Sequence, residues 1–218
     1  MPEEWWMSDA ERQGAKEWIP DGGGVRALRR AAEGCRGCEL WRDATQVVFS
    51  RGSSSARMML VGEQPGDRED IEGEPFVGPA GQVLSDALVA ADIDRGEVYL
   101  TNAVKHFRFE RRGKRRIHEK PGVAHIEACR PWLDAELATV RPEVIVALGA
   151  TAARSLLHRT VRIGEIRGTV IEASDPRGTP LVVTAHPSSL LRLRGRADRD
   201  AAFRALVADL SRAREAAG

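Results

Sequence analysis

The chain has 218 residues and a formal net charge of +1, with 42% hydrophobic and 30% charged residues. This length suffices for one substantial core, and no Pro/Gly/Ser-rich linker divides it. No stretch approaches the roughly 18 apolar residues of a membrane span, and the acidic, tryptophan-rich start lacks the features of a secretory signal. We therefore expect a single cytoplasmic domain over 1–218, monomeric, with an N-terminal extension over 1–24 and no membrane partner.

Short apolar runs of β-forming residues alternate with segments of helical periodicity. In chain order, we predict a helix over 25–32, a strand over 58–61, a helix over 82–91, a strand over 98–100, helices over 123–140 and 151–157 separated by a strand over 144–148, strands over 169–171 and 181–184, and a helix over 200–216. Such alternation favours an α/β sandwich.

Two of the predicted strands run directly into polar loops rich in Gly, Pro and Ser. These loops read GEQPGD over 62–67 and HPSSLLR over 186–192. Ligands of open α/β sheets bind beyond the carboxyl ends of the strands. The two loops are therefore expected to line one crevice.

The three cysteines suggest a metal site. Cys35 and Cys38 form a C-x-x-C pair, and Cys129 lies far along the chain. In a reducing compartment such cysteines bind metal more often than they form disulfides. His106 is the candidate fourth ligand, since imidazole binds zinc and also replaces cysteine in some iron-sulfur centres. Spacing alone leaves zinc, iron-sulfur and two ordinary core cysteines open.

Residues 105–120 carry most of the excess positive charge. They hold eight Lys and Arg against two Glu, a net charge of +6 in a chain of net +1, and they surround His118. A basic patch of this kind is typical of proteins that bind nucleic-acid phosphates. Taken alone, a solvated loop is the commoner explanation.

Several motifs together resemble one known family. These are GEQPGDREDIEGEPFVGPAGQVLSDAL at 62–88, TNAVKH at 101–106 and HPSSLLR at 186–192, with CRGCELW at 35–41 and EACRPWL at 127–133. Their order and spacing resemble the iron-sulfur branch of the uracil-DNA glycosylase superfamily. Most members of that branch have cysteine in place of His106 and a shorter connection after it. The expanded loop, 105–121, contains KRRIHE at 114–119, and with the Gln of GEQPG it is similar to the UdgX-type glycosylases.

The resemblance implies a fold and a base pocket. The fold is a three-layer α/β/α sandwich around a mainly parallel four-stranded sheet. The bound nucleotide is flipped out of the stack, and its base is read on its hydrogen-bonding edge. Phe76 matches the residue that stacks on uracil, Asn102 the amide that pairs with its edge, and Gly62 belongs to the substrate-binding loop.

The resemblance also assigns the remaining site residues. His186 matches the donor to uracil O2, while Glu63, Gln64 and Asp67 match positions on the other side of the sugar. Ser188 and Arg192 suit phosphate contacts, and Arg116 suits a carboxylate or phosphate that holds the loop closed. Cys35, Cys38, His106 and Cys129 match the ligands of a 4Fe-4S cluster, with zinc as the alternative.

His118 matches the histidine through which UdgX-type glycosylases become covalently joined to DNA. The implied function is excision of uracil from DNA, single-stranded DNA included, with release of free uracil. His118 then attacks C1′ of the abasic site in a single turnover, and Glu63 is assigned to hold the other ring N–H of this histidine. An ordinary multiple-turnover glycosylase is the first alternative. A non-catalytic protein that binds damaged or single-stranded DNA is the second.

Overall fold

The computed structural model describes residues 13–218, so the predicted extension over 1–24 lies partly outside the described residues. The strands are β1 (Ser50–Arg51), β2 (Met58–Gly62), β3 (Val98–Asn102), β4 (Phe109–Arg112), β5 (Arg115–His118), β6 (Val144–Leu148), β7 (Val170–Glu172) and β8 (Pro180–Thr184). The α-helices are α1 (Gly24–Ala32), α2 (Asp67–Glu72), α3 (Pro79–Ala90), α4 (Val123–Val140), α5 (Ala150–Leu157), α6 (Ile163–Ile166), α7 (Ser188–Leu191) and α8 (Arg196–Ala216).

The main sheet has six strands in the order β1-β3-β2-β6-β8-β7. The four inner strands are parallel, and the two edge strands pair antiparallel to their neighbours. The predicted α/β class with a mainly parallel sheet is therefore confirmed, while the number of strands is six rather than four. Of the two edge strands, β7 matches the strand predicted over 169–171, whereas the two-residue β1 was not predicted because it has no apolar run.

Alternate residues of the inner strands supply two separate cores. Met58 and Leu60 of β2 pack with helices α3 and α8 on one face of the sheet. Met59 and Val61 pack with α4 and α5 on the other face. Since side chains of a strand alternate between faces, an apolar run such as MMLV requires cover on both sides. The result is the expected three-layer α/β/α sandwich.

The basic segment forms a second, two-stranded sheet. Strands β4 and β5 pair antiparallel, with Phe109 opposite His118 and Arg111 opposite Arg116. Gly113 turns the chain between them with a φ of 59°. The predicted insertion loop over 105–121 thus contains a β-hairpin over 109–118, which we call the reactive hairpin after the role expected of His118. Its strands are mostly exposed and basic, so they lack the apolar alternation that would have predicted them.

The ends of the inner strands determine where the site forms. Parallel strands β2, β3, β6 and β8 have their carboxyl ends at one edge of the sheet, the edge that runs across the strand ends. The two polar loops leave from that edge. The reactive hairpin follows the end of β3 and reaches the same edge. Across 13–218, the helices include none that combines the length and apolarity needed to cross a bilayer.

Candidate active site

A cleft of about 730 Å³ opens at this edge of the sheet. The predicted site residues that line it are Glu63, Gln64, Phe76, Asn102, His118, His186, Ser188 and Arg192. Gly62, Asp67 and Arg116 lie beside the cleft without lining it. The cleft therefore brings together both polar loops, the end of β3 and the reactive hairpin, as the strand-end argument expects.

A tightly packed pocket forms one end of the cleft around Asn102. Asn102 is 3% exposed at the end of β3 and lies against Gly62 and the Phe76 ring. A Cβ at Gly62 would overlap the Asn102 amide oxygen and come within 2.7 Å of the Phe76 ring, so only glycine leaves room there. Gly62 therefore contributes by leaving room for Asn102 and Phe76, and it does not itself line the cleft.

The backbone of Phe76 adopts an unusual conformation. Its φ is 58°, in the left-handed region that bulky residues rarely occupy. Arg95 holds this conformation, because its Nη2 donates to the Phe76 carbonyl at 2.8 Å. Burial of Arg95 lowers the pKa of its guanidinium. Strained residues of this kind persist where the surrounding structure fixes them, and they often occur at binding sites.

His186 faces the same pocket as a neutral imidazole. Burial lowers its pKa to about 4. The backbone N–H of Ser188 donates to His186 Nδ1 at 3.2 Å, and the Ser188 hydroxyl lies 2.8 Å from the same nitrogen. Nδ1 is thus the acceptor of the ring, which leaves the proton on Nε2 as a hydrogen-bond donor. Ser188, which the resemblance assigns to a phosphate, thus also orients His186.

His118 extends from the end of β5 over the opposite side of the cleft. Its side chain is 44% exposed, in contrast to Asn102. His118 Nε2 lies 3.0 Å from the Gln64 side-chain nitrogen and 3.5 Å from Glu63 Oε1. Glu63 and Gln64 therefore approach the same ring nitrogen, which differs from the assignment of Glu63 to the other one.

The Gln64 amide bonds the backbone on both sides of the reactive hairpin. Gln64 Oε1 accepts from the Arg108 backbone N–H at 3.1 Å, and its nitrogen donates to the carbonyls of Arg108 and Glu119 at 3.1 and 2.9 Å. An amide nitrogen cannot accept a hydrogen bond. Both N–H groups of this amide already have carbonyl acceptors, so the amide does not fix which ring nitrogen of His118 carries a proton.

Arg116 anchors the reactive hairpin to the body of the protein. Its guanidinium bonds Asp67 Oδ1 at 2.5 Å and the fully buried Asp70 at 2.5 Å, and it also bonds Thr45. The same guanidinium lies over the ring of Phe107, with its carbon 5.6 Å from the ring centroid. Asp67, expected beside the reacting sugar, thus pairs with Arg116 outside the cleft.

Two buried polar groups near the site carried no clear signal in the sequence. Lys105 belongs to the basic segment, yet it is 1% exposed and pairs with buried Glu136 at 2.5 Å. Its Nζ also donates to the Asn102 carbonyl at 2.9 Å, which fixes the end of β3. His125 joins the Gly122 N–H to the Glu39 carboxylate. Only the long-range pairing of these groups, which a sequence does not display, reveals their positions.

The four predicted metal ligands surround one small buried cavity. It is lined by Cys35, Cys38, His106 and Cys129. Burial lowers the pKa of His106 to about 4, so its imidazole is neutral, and burial raises the pKa of the Cys129 thiol. The Sγ atoms of Cys35 and Cys129 each accept an N–H at 3.3 Å, from Trp132 and from the Lys105 backbone.

The four side chains have the chemistry of a metal site. Within the described part of the chain, no three His, Cys, Asp or Glu side chains are arranged to hold one metal ion. Thiols and a neutral imidazole around a shared cavity are nevertheless the donors that iron-sulfur and zinc sites use. A buried thiol of raised pKa needs a nearby cation to ionise. The donor set therefore fits a metal group.

Comparisons with known proteins agree with this geometry. Residues 49–211 match the family described as the Uracil DNA glycosylase superfamily, a range that contains every residue lining the cleft. The chain is 32% identical to the type-4 uracil-DNA glycosylase of Pyrobaculum aerophilum over 82% of this chain and 92% of that protein. It is 37% identical to the type-4 uracil-DNA glycosylase of Thermotoga maritima over 73% of this chain and 79% of that protein. The chain therefore belongs to the uracil-DNA glycosylase superfamily.

Proposed function

We propose that the protein excises uracil from DNA and then joins itself covalently to the abasic site through His118. The observation that carries this proposal is the position of His118, on a hairpin beside the cleft, with its Nε2 in the cleft 3.5 Å from Glu63 Oε1. The names of the similar proteins support uracil excision. Covalent capture rests on the reactive hairpin of this chain.

Base recognition in this proposal uses the buried pocket. The Asn102 amide offers both a donor and an acceptor, which suit uracil O4 and N3–H and oppose the reversed pattern of cytosine. Phe76 supplies an apolar face for the flipped base. His186 Nε2–H donates to uracil O2 as negative charge develops there, a contribution worth on the order of a hundredfold in rate.

Capture follows cleavage of the glycosidic bond. The C1′–N1 bond breaks, and its electron pair leaves with uracil as an anion while positive charge develops on the sugar. The Glu63 carboxylate stabilises that charge, and the Nε2 lone pair of His118 forms the new bond to C1′. The resulting imidazolium balances the uracil anion; its Nδ1 proton passes to solvent, and uracil takes a proton from solvent. Water cannot easily reverse this adduct.

We also propose that Cys35, Cys38, His106 and Cys129 hold a 4Fe-4S cluster, with zinc as the alternative. The bound cluster supplies a covalent link between the N-terminal C-x-x-C segment, the end of β3 and helix α4. It adds no redox step, because glycosidic cleavage transfers no electrons to the protein. Broad visible absorption with matching iron content is expected, and stoichiometric zinc without iron would contradict the iron-sulfur assignment.

A denaturing gel tests the function. Purified protein is mixed with a labelled single-stranded oligonucleotide containing one uracil, heated in detergent and separated. We expect a slower band that requires both uracil and His118, with free uracil released in equal amount. Free abasic oligonucleotide produced over many turnovers would favour the ordinary glycosylase instead. Uracil-independent binding without product would favour the non-catalytic DNA-binding protein.

A further inference from the structure

The two carboxylate oxygens of Glu63 have different partners. Oε1 lies 3.5 Å from Nε2 of His118, and Oε2 accepts a hydrogen bond from the Thr151 hydroxyl. Thr151 is 2% exposed and is the second residue of α5. Thr151 belongs to none of the sequence motifs and lies 88 residues from Glu63 along the chain. One side chain thus determines which oxygen of Glu63 is left to face His118.

The start of α5 is itself held firmly in place. The Gly149 N–H donates to the Thr184 carbonyl at 2.9 Å, which ties the start of the helix to strand β8. Gly149 has a φ of 92°, and a Cβ there would lie 3.1 Å from the Cβ of His186. The turn that carries Thr151 therefore packs between Glu63 on one side and His186 on the other.

We propose that Thr151 is a positioning residue for covalent capture, acting through Glu63. By binding Oε2, its hydroxyl stops the carboxylate from rotating and keeps Oε1 beside His118 Nε2. A carboxylate that is fixed before reaction stabilises developing positive charge without having to reorganise. This inference rests on the proposed function, because it names what orients the same Glu63.

Thr151→Val is the direct test, since valine keeps the shape of threonine and removes the hydroxyl. Loss of a hydrogen bond to a charged group should slow cross-linking about tenfold or more. The defect should lie in the single-turnover rate at saturating DNA, not in the DNA concentration for half-maximal rate. Thr151→Ser restores the hydroxyl and should recover most of the rate.

Ser155→Ala is the matched control. Ser155 is buried on the same helix one turn later, and its hydroxyl has no hydrogen-bond partner among the residues described. The Ser155→Ala variant should cross-link at the same rate as the protein without substitutions. Thermal melts followed by circular dichroism should show Thr151→Val folded at the assay temperature, which separates misplacement of Glu63 from unfolding.

A second readout does not require activity on DNA. The ¹⁵N chemical shifts of the His118 ring report its surroundings directly, and they should move in Thr151→Val but not in Thr151→Ser or Ser155→Ala. Unchanged shifts together with an unchanged rate would overturn the role of Thr151. If the protein with its original sequence releases uracil without cross-linking, the covalent function fails. The role of Thr151 is then judged on the uracil-release rate and the His118 shifts alone.

Discussion

The base pocket and the reactive hairpin are built in opposite ways. Asn102, in the pocket, lies at the end of a buried parallel strand and is 3% exposed. His118, on the hairpin, is 44% exposed and is held by Gln64 and by the Arg116 anchor. The first arrangement belongs to the central sheet, and the second depends on a separate two-stranded hairpin. Base recognition and covalent capture should therefore be separable by mutation.

The largest combined effect on uracil release and cross-linking is expected in the pocket. Asn102→Ala removes the amide that we propose reads uracil and should reduce both uracil release and cross-linking by a hundredfold to a thousandfold. Single-turnover assays on a uracil-containing oligonucleotide measure both products. Gln82→Ala, which removes an exposed amide on α3, is the control and should be neutral. Loss of cross-linking alone in Asn102→Ala would contradict the division between the two regions.

The hairpin should show the complementary result. His118→Ser removes the proposed nucleophile, so cross-linking should vanish while uracil release stays within about tenfold of its original rate. The smaller side chain also admits water to C1′, which permits repeated turnover. His158→Asn is the control, because His158 is exposed at the end of α5 with a φ of 54° that asparagine tolerates. A His118→Ser protein that still cross-links would remove His118 from its assigned role.

Acid should lower the free energy of unfolding through His186. Its pKa is about 4 in the folded protein and about 6.5 when unfolded, so the unfolded state binds more protons between these values. The free energy of unfolding should therefore fall as the pH drops from about 6.5 to 4, by about 3 kcal/mol at most from this residue. Urea titrations of the unchanged protein and of His186→Gln measure it. Identical pH slopes in the two proteins would show that burial does not hold His186 neutral.

A smaller effect is expected at the hairpin anchor. Arg116→Gln removes the ion pairs to Asp67 and Asp70, so the hairpin should position His118 less well and cross-linking should slow by about tenfold. Uracil release should change little. Arg112→Gln is the control, since Arg112 is exposed on the same hairpin and pairs only with Glu110 in the described structure. An equal loss of both activities in Arg116→Gln would show that the hairpin also serves base recognition.

The same contrast explains what the sequence made predictable. The inner strands were predictable because runs such as MMLV and VIVAL are apolar and buried on both faces. A crevice followed from the polar loops at the ends of those strands, and the residues of the base pocket followed from the family resemblance. The β-hairpin form of residues 109–118 was not predicted, since residues exposed on both faces leave no periodic pattern.

The connections across the site were beyond the sequence for a different reason. In the sequence, Asp67 is next to a site loop whether it faces the sugar or pairs with Arg116. Only the three-dimensional position of Arg116 shows that the two pair outside the cleft. Thr151 likewise resembles any helix-start threonine until the fold brings it to Glu63. Such long-range pairings depend on tertiary packing, which local patterns do not encode.

Mapping the adduct by tandem mass spectrometry tests the central claim most directly. The protein is reacted with a short uracil-containing oligonucleotide, and both protein and DNA are digested before peptide sequencing. We predict that one peptide carries the mass of an abasic nucleotide and that fragmentation places it on His118. An adduct on another residue, or abasic DNA released with no modified peptide, would contradict capture by the reactive hairpin.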